Sequence, residues 1–101
     1  MRHEPDKHPF HGFQITRAGL KSRNDGRPLG ASVVVWVRAA SAASARADAL
    51  GHVETELARL FDATLPAAVE IEALGTSLIE PALPEITPGV YRTGFALFGD
   101  A

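Results

Sequence analysis

The chain of 101 residues contains no cysteine, which excludes disulfide bonds, thiol catalysis and thiolate metal sites. It also lacks a long hydrophobic run: the longest, residues 33–37, is far shorter than the ~20 residues that span a bilayer. The polar N-terminus has no apolar segment typical of a secretion signal. We therefore expect a protein that is not secreted by a visible signal, with the cytoplasm as one of its locations, and with no membrane partner.

Motifs for phosphate binding and nucleophilic catalysis are missing as well. No G-x-x-x-x-G-K-[ST], G-x-G-x-x-G or G-x-S-x-G pattern occurs. His8 and His11 lie three residues apart near Asp6, but a polar tail does not hold ligands in the rigid geometry that a metal site requires. We expect no cofactor, no metal and no catalytic residue, and hence a protein that is not an enzyme.

Charge is unevenly distributed along the chain although the formal net charge is only −2. Residues 1–46 carry a local charge of +5, whereas residues 47–101 carry −7. The composition, 46% apolar and 22% charged, is that of a globular domain. A chain of this length forms one such domain, with residues 1–11 as a polar arm and residues 12–101 as the folded part.

The periodicity of the folded part predicts both strands and a helix. Residues 12–21 and 30–40 read as strands joined by a turn at Asp25-Gly26, because Gly supplies the positive φ of a tight hairpin. Residues 41–61 carry apolar side chains at helical spacing, after Ser41 or Ser44 as N-cap.

The second half of the chain returns to strand periodicity. Residues 67–75 alternate, residues 77–79 form a possible short edge strand, and residues 90–98 form the last strand. The three prolines of residues 80–89 predict a crossing outside the sheet. The predicted fold is α+β: a single mostly antiparallel sheet with a long β-hairpin and one packed amphipathic helix, in the order β-β-α-β-β.

The hairpin is the first candidate interaction surface. Four basic residues flank its turn: Arg17, Lys21, Arg23 and Arg27. They could form a solvated tip, contact an acidic partner surface or bind nucleic acid. Nucleic acid is not expected as a partner, because the pI is about 6.0 and the tip has no aromatic side chain for base stacking.

Two further candidate surfaces lie on the sheet. If alternate valines of residues 33–37 face the helix, Val34 and Trp36 face the other side of the sheet. This apolar face could be an interface, a ligand site or a patch that the crossing or the arm covers. Glu70 and Glu72 share one face of a strand, which suits acid/base chemistry or a solvated surface. The basic hairpin could meet these carboxylates within one chain or between copies, and a head-to-tail contact between copies closes into a ring.

The layout resembles the tail-terminator and tail-completion proteins of long-tailed bacteriophages. The resemblance lies in residues 13–19, the valine-rich residues 31–38, the helix of residues 45–61 and the closing residues 89–98. It implies a non-enzymatic ring subunit that caps the tail tube, joins it to the head, and has other assembly proteins as partners in the virion. The N-terminal helix typical of that family is not predicted here, because residues 1–11 contain Pro5 and Pro9.

A structural subunit that self-associates is therefore the leading hypothesis. One alternative is a ferredoxin-like dimeric module that binds a ligand or regulates, with a cleft near Trp36 and Tyr91. The other is a small enzyme built on a dimeric α+β barrel, for which His52, Glu70, Glu72 and Tyr91 are the candidate residues.

Overall fold

A long antiparallel hairpin forms the centre of the sheet. The computed structural model of the chain describes residues 8–63 and 68–99, and within it β1 (Phe10–Lys21) pairs with β2 (Pro28–Arg38). The turn has Gly26 at a φ of 69°, as the sequence predicted. β1 begins at Phe10, so the last two residues of the predicted arm belong to the strand; residues 1–7 lie outside the described part.

Helix α1 (Ala42–Leu60) packs on one face of this hairpin. The Ser41 side chain accepts a hydrogen bond from the Ser44 backbone N–H at 3.1 Å, which confirms the predicted N-cap. The buried stripe is Ala45, Ala49, Val53 and Leu57, whereas the apolar Leu60 is 55% exposed in the last turn. No helix within residues 8–63 and 68–99 has the length and apolar character to cross a membrane.

Four shorter strands complete the sheet: β3 (Ala68–Ser77), β4 (Glu85–Thr87), β5 (Val90–Arg92) and β6 (Ala96–Gly99). The order is β3-β1-β2-β5-β4, and β6 pairs with the N-terminal part of β2, beside the hairpin turn. Every pairing is antiparallel. The described residues thus form a six-stranded antiparallel sheet and one helix, which confirms the predicted α+β class in this coarse form.

The second half of the chain differs from the predicted elements in three places. β3 continues through Gly75 to Ser77, so residues 77–79 form no separate strand. Residues 85–87 of the crossing pair with β5 at the sheet's edge, where neighbouring prolines are tolerated, so the prediction that the crossing stays outside the sheet is wrong. The last strand is split because the Thr93 hydroxyl accepts the Val34 N–H and replaces a rung of the ladder.

The two faces of the sheet are covered differently. The helix side carries the main core, which includes Phe13, Ile15 and Val35. The opposite face carries a smaller aromatic cluster in which the Phe10 and Tyr91 rings meet edge to face at 5.5 Å between centroids. The indole of Trp36 lies directly over Gly12 in this cluster.

Gly12→Ala tests this close packing. A Cβ at position 12 would lie 2.4 Å from the Trp36 ring, so we expect the substitution to lower the free energy of unfolding by about 1–3 kcal/mol and to change Trp36 fluorescence. Gly51→Ala is the matched control. It meets open space on the helix, and it should stabilise the protein by about 0.5–1 kcal/mol in the same denaturant titration. An unchanged Gly12→Ala midpoint would contradict the packing.

Candidate interaction surfaces

Arg17, one of the four hairpin cations, is buried beneath the helix. Its side chain is 4% exposed, and its Nε and Nη2 donate to the Glu54 carboxylate at 3.1 and 3.2 Å. Its Nη1 donates to the carbonyl of Ala18 at 2.6 Å. Arg17 therefore joins β1 to α1 and lies beneath the surface that a partner would touch.

The other three cations surround the C-terminal end of the helix. Arg23 Nη2 donates to the carbonyl oxygen of Ala58 at 2.7 Å, where free carbonyl groups and the helix dipole favour a cation. Arg27 pairs with Asp25 within the turn, and the backbone of Lys21 pairs with that of Asp62. Among the four hairpin cations, Arg17 is the one whose ion pair, with Glu54, joins residues 1–46 to a carboxylate of residues 47–101 within one chain.

A cavity of about 520 Å³ opens beside the hairpin at this end of the molecule. We call it the apolar cleft; it is lined by Ser22, Arg27, Pro28, Leu29, Phe61, Leu97, Phe98 and Gly99. Leu97 and Phe98 are 52% and 40% exposed. No local pattern in the sequence indicates this cleft, because it forms only when β6 is placed beside the base of the hairpin.

The crossing covers the face that Trp36 occupies. Trp36, Ser77 and residues 79–83 line an open cavity of about 530 Å³, and Trp36 itself is half-buried. The Tyr91 hydroxyl donates to Glu80 at the start of the crossing, and this hydrogen bond, together with burial, raises the pKa of Tyr91 to about 12. The crossing lies over part of this face, and the interface and the ligand site stay predictions; Val34 beside it is also half-buried.

Two large apolar side chains are exposed immediately before the crossing. Leu78 and Ile79 are 80% and 78% exposed, although both lie in a turn fixed by hydrogen bonds. The Ile79 N–H donates to the Ser77 hydroxyl oxygen at 3.0 Å. We call Leu78 and Ile79 the knob.

Strand β3 forms one edge of the sheet. Eight of its ten residues are exposed, and no other strand in the described part of the chain pairs with its outer side. The Ala39 N–H donates to the carbonyl of Pro9, so the odd-numbered residues that follow Pro9 in β1 bond to β2. Backbone groups point alternately to the two sides of a strand, so the even-numbered residues, such as Gln14 and Thr16, bond to their partners in β3. It follows that Glu70 and Glu72 bond to β1, while the backbone groups of Val69 and Ile71 point to the open edge.

The Glu70 and Glu72 side chains project from the sheet face opposite the helix. They are exposed and line, with Gln14, Thr16 and Ile71, a shallow depression of about 360 Å³. No basic residue contributes to its lining. The carboxylates therefore form an acidic surface immediately beside the open edge.

The candidate catalytic residues of the enzyme alternative do not converge. His52 lies on the helix, where its Nε2 accepts a hydrogen bond from Arg92 Nε at 3.0 Å, and Arg92 also pairs with Glu56. Glu70, Glu72 and Tyr91 lie on the opposite face of the sheet. Within residues 8–63 and 68–99 no cluster of three potential metal-ligating side chains occurs.

Comparison with known proteins adds no relative: no protein-family model matches this chain, and no curated protein or solved structure shows significant similarity to it. The geometry of the surfaces described above is therefore the basis for assigning a function.

Glu54→Ala tests the structural role of Arg17. The substitution leaves a buried guanidinium without its carboxylate, so we expect a loss of about 1–2 kcal/mol in the free energy of unfolding, moderated by the partial exposure of Glu54. Asp48→Ala, at an exposed position of the same helix, should leave the denaturation midpoint nearly unchanged. Equal effects of the two substitutions would contradict a structural Arg17–Glu54 pair.

The His52–Arg92 contact predicts a dependence of stability on pH. Burial and then the positive charge of Arg92 hold the pKa of His52 below its ordinary value of 6.5. Because the unfolded chain binds the proton more readily, this contribution to stability is present above about pH 6.5 and is lost as the pH falls.

The measurement is the melting temperature between about pH 7.5 and about pH 5. His52→Gln keeps an acceptor for Arg92 but does not titrate, so the wild-type protein should lose more stability over this range than the variant. Parallel curves for the two proteins would show that His52 does not contribute.

Proposed function

We propose that this protein is a non-enzymatic structural subunit whose copies associate through the open edge of β3. The observation that carries the proposal is the length and exposure of this edge: ten residues, of which none is buried. Its outward N–H and C=O groups form a template for another strand. The apolar side chain of Val69, 41% exposed, lies on the same edge.

The edge has few of the features that prevent strands from pairing. Proteins protect edges with lysine, proline, short strands or bulges. β3 contains neither lysine nor proline, and its one irregularity in register lies opposite Gly12 and Phe13, near its C-terminal end. Residues 68–72 therefore remain regular and available for pairing.

The carboxylates favour a heterologous contact over a two-fold symmetric one. If β3 paired antiparallel with β3 of a second copy about Ile71, Glu70 of each copy would lie opposite Glu72 of the other, and like charges in such positions repel. A different surface of the second copy is therefore the better partner. Heterologous contacts close into rings when the rotation between copies allows it.

A ring subunit is also what the resemblance to bacteriophage tail-terminator proteins implies. In that role the protein would join other assembly proteins in the virion, and its chemistry would be limited to binding. The scattered positions of His52, Tyr91 and the two glutamates support the same proposal, because catalysis requires groups that meet at one substrate.

Val69→Pro tests the edge contact. The Val69 N–H points away from β1, so proline at this position leaves the β1–β3 ladder intact while it removes a donor from the open edge. We expect the wild-type protein to have a mass in light scattering above that of one chain, and the variant to be a folded monomer.

Glu70→Pro is the matched control, since the Glu70 N–H points to β1 and its loss should lower the melting temperature. A folded Val69→Pro variant that assembles like the wild type would overturn the edge contact. A wild-type protein that is monomeric at all concentrations would overturn self-association itself.

A further inference from the structure

We propose that the knob of one copy inserts into the apolar cleft of the next copy and so defines the head-to-tail contact. The inference rests on the proposed self-association and names the two surfaces that meet. Leu78 and Ile79 are the most exposed of the large apolar side chains in the described part of the chain. Contiguous exposed apolar groups of this kind mark contact sites.

The knob is held in a fixed conformation before any partner arrives. On one side, the Ser77 hydroxyl bonds to both the N–H and the carbonyl of Ile79, at 3.0 and 3.4 Å. On the other side, Glu80 accepts the hydrogen bond of the buried Tyr91. A backbone that is already held in one conformation loses little entropy on binding, which favours the use of this turn as an anchor.

The apolar cleft complements the knob in size and in polarity. Its volume of about 520 Å³ accommodates two aliphatic side chains, and its walls include Leu29, Phe61 and Leu97. Arg27, which also pairs with Asp25, lies at the same cleft, whereas the crossing that directly follows the knob contains Glu80 and Glu85 and no basic residue. Opposite charges at the rim of an apolar contact fix its orientation.

A chain's own cleft is out of reach of its knob. Ser77 pairs with Phe10 at one end of β1, and Pro28 beside the cleft pairs with Lys21 at the other end. Eleven residues of strand separate these pairs, a distance of roughly 36 Å. The N-terminal segment is also a poor cover for the knob, because Met1 and Pro5 are the only apolar side chains in residues 1–7.

The contact continues the open edge described above. The knob follows the last residue of β3 directly. The cleft lies along β6, which is separated from β3 by β1 and β2. If one copy is displaced along the strand direction, its β6 lies beside the C-terminal part of β3 in the neighbouring copy. Its cleft then faces the neighbour's knob. Because the two surfaces differ, the contact is heterologous and repeats from copy to copy.

The test uses a knob variant, Leu78→Ser with Ile79→Ser, and a cleft variant, Leu97→Glu, in the full chain. All three side chains are more than half exposed, so both variants should keep the wild-type melting temperature. In sedimentation velocity we expect each variant alone to associate at least tenfold more weakly than the wild type. The reason is that neither variant can bury apolar knob side chains against an apolar cleft wall when two of its copies meet.

Mixing the two variants separates this contact from others. The knob variant retains an intact cleft and the cleft variant an intact knob, so an equimolar mixture should form a 1:1 complex that does not grow further. If both variants associate like the wild type, the knob–cleft contact is wrong although self-association stands. If both are monomeric and the mixture forms no complex, the heterologous contact is also overturned.

Discussion

The structure depends on one geometric constraint, which is that a single helix covers only about two strands. A helix with its side chains is roughly 10 Å wide, and neighbouring strands are roughly 4.8 Å apart. α1 lies on β1 and β2, and these strands supply the apolar core. The strands on either side extend beyond the helix, so β3 and β6 keep apolar side chains such as Val69 and Leu97 in solvent. The uncovered edges therefore follow from the architecture.

The charge distribution supports this architecture before it serves any contact. Arg17 bonds to Glu54 under the helix, and Arg23 satisfies carbonyl groups at the helix end. These contacts fix the hairpin to the helix and occupy two of the eight basic side chains of residues 1–46 within one chain. The carboxylates of Glu70 and Glu72 have no basic partner in the lining of their depression, and in the proposed association they would disfavour a strand that places like charges opposite them.

Periodicity in the sequence was sufficient to predict the hairpin and the helix, because strong alternation, a Gly in the turn and a serine N-cap all favour the same elements. It failed where a tertiary contact decides the outcome. β4 forms at an edge that tolerates prolines, and Thr93 divides the last strand by bonding through its side chain to Val34. The burial of Arg17 and the apolar cleft depend on long-range packing, which no local pattern encodes.

The ionisable groups of this protein indicate why assembly is a better assignment than chemistry. His52 is bonded to Arg92, Tyr91 is bonded to Glu80, and these contacts lie on opposite faces of the sheet. Groups held in this way stabilise the fold, and a substrate could use them only by breaking those bonds. What the molecule leaves open is backbone at β3, apolar side chains at the knob and an apolar cleft. This is why we propose another polypeptide as the partner, since a strand would supply hydrogen bonds and its side chains would supply apolar area.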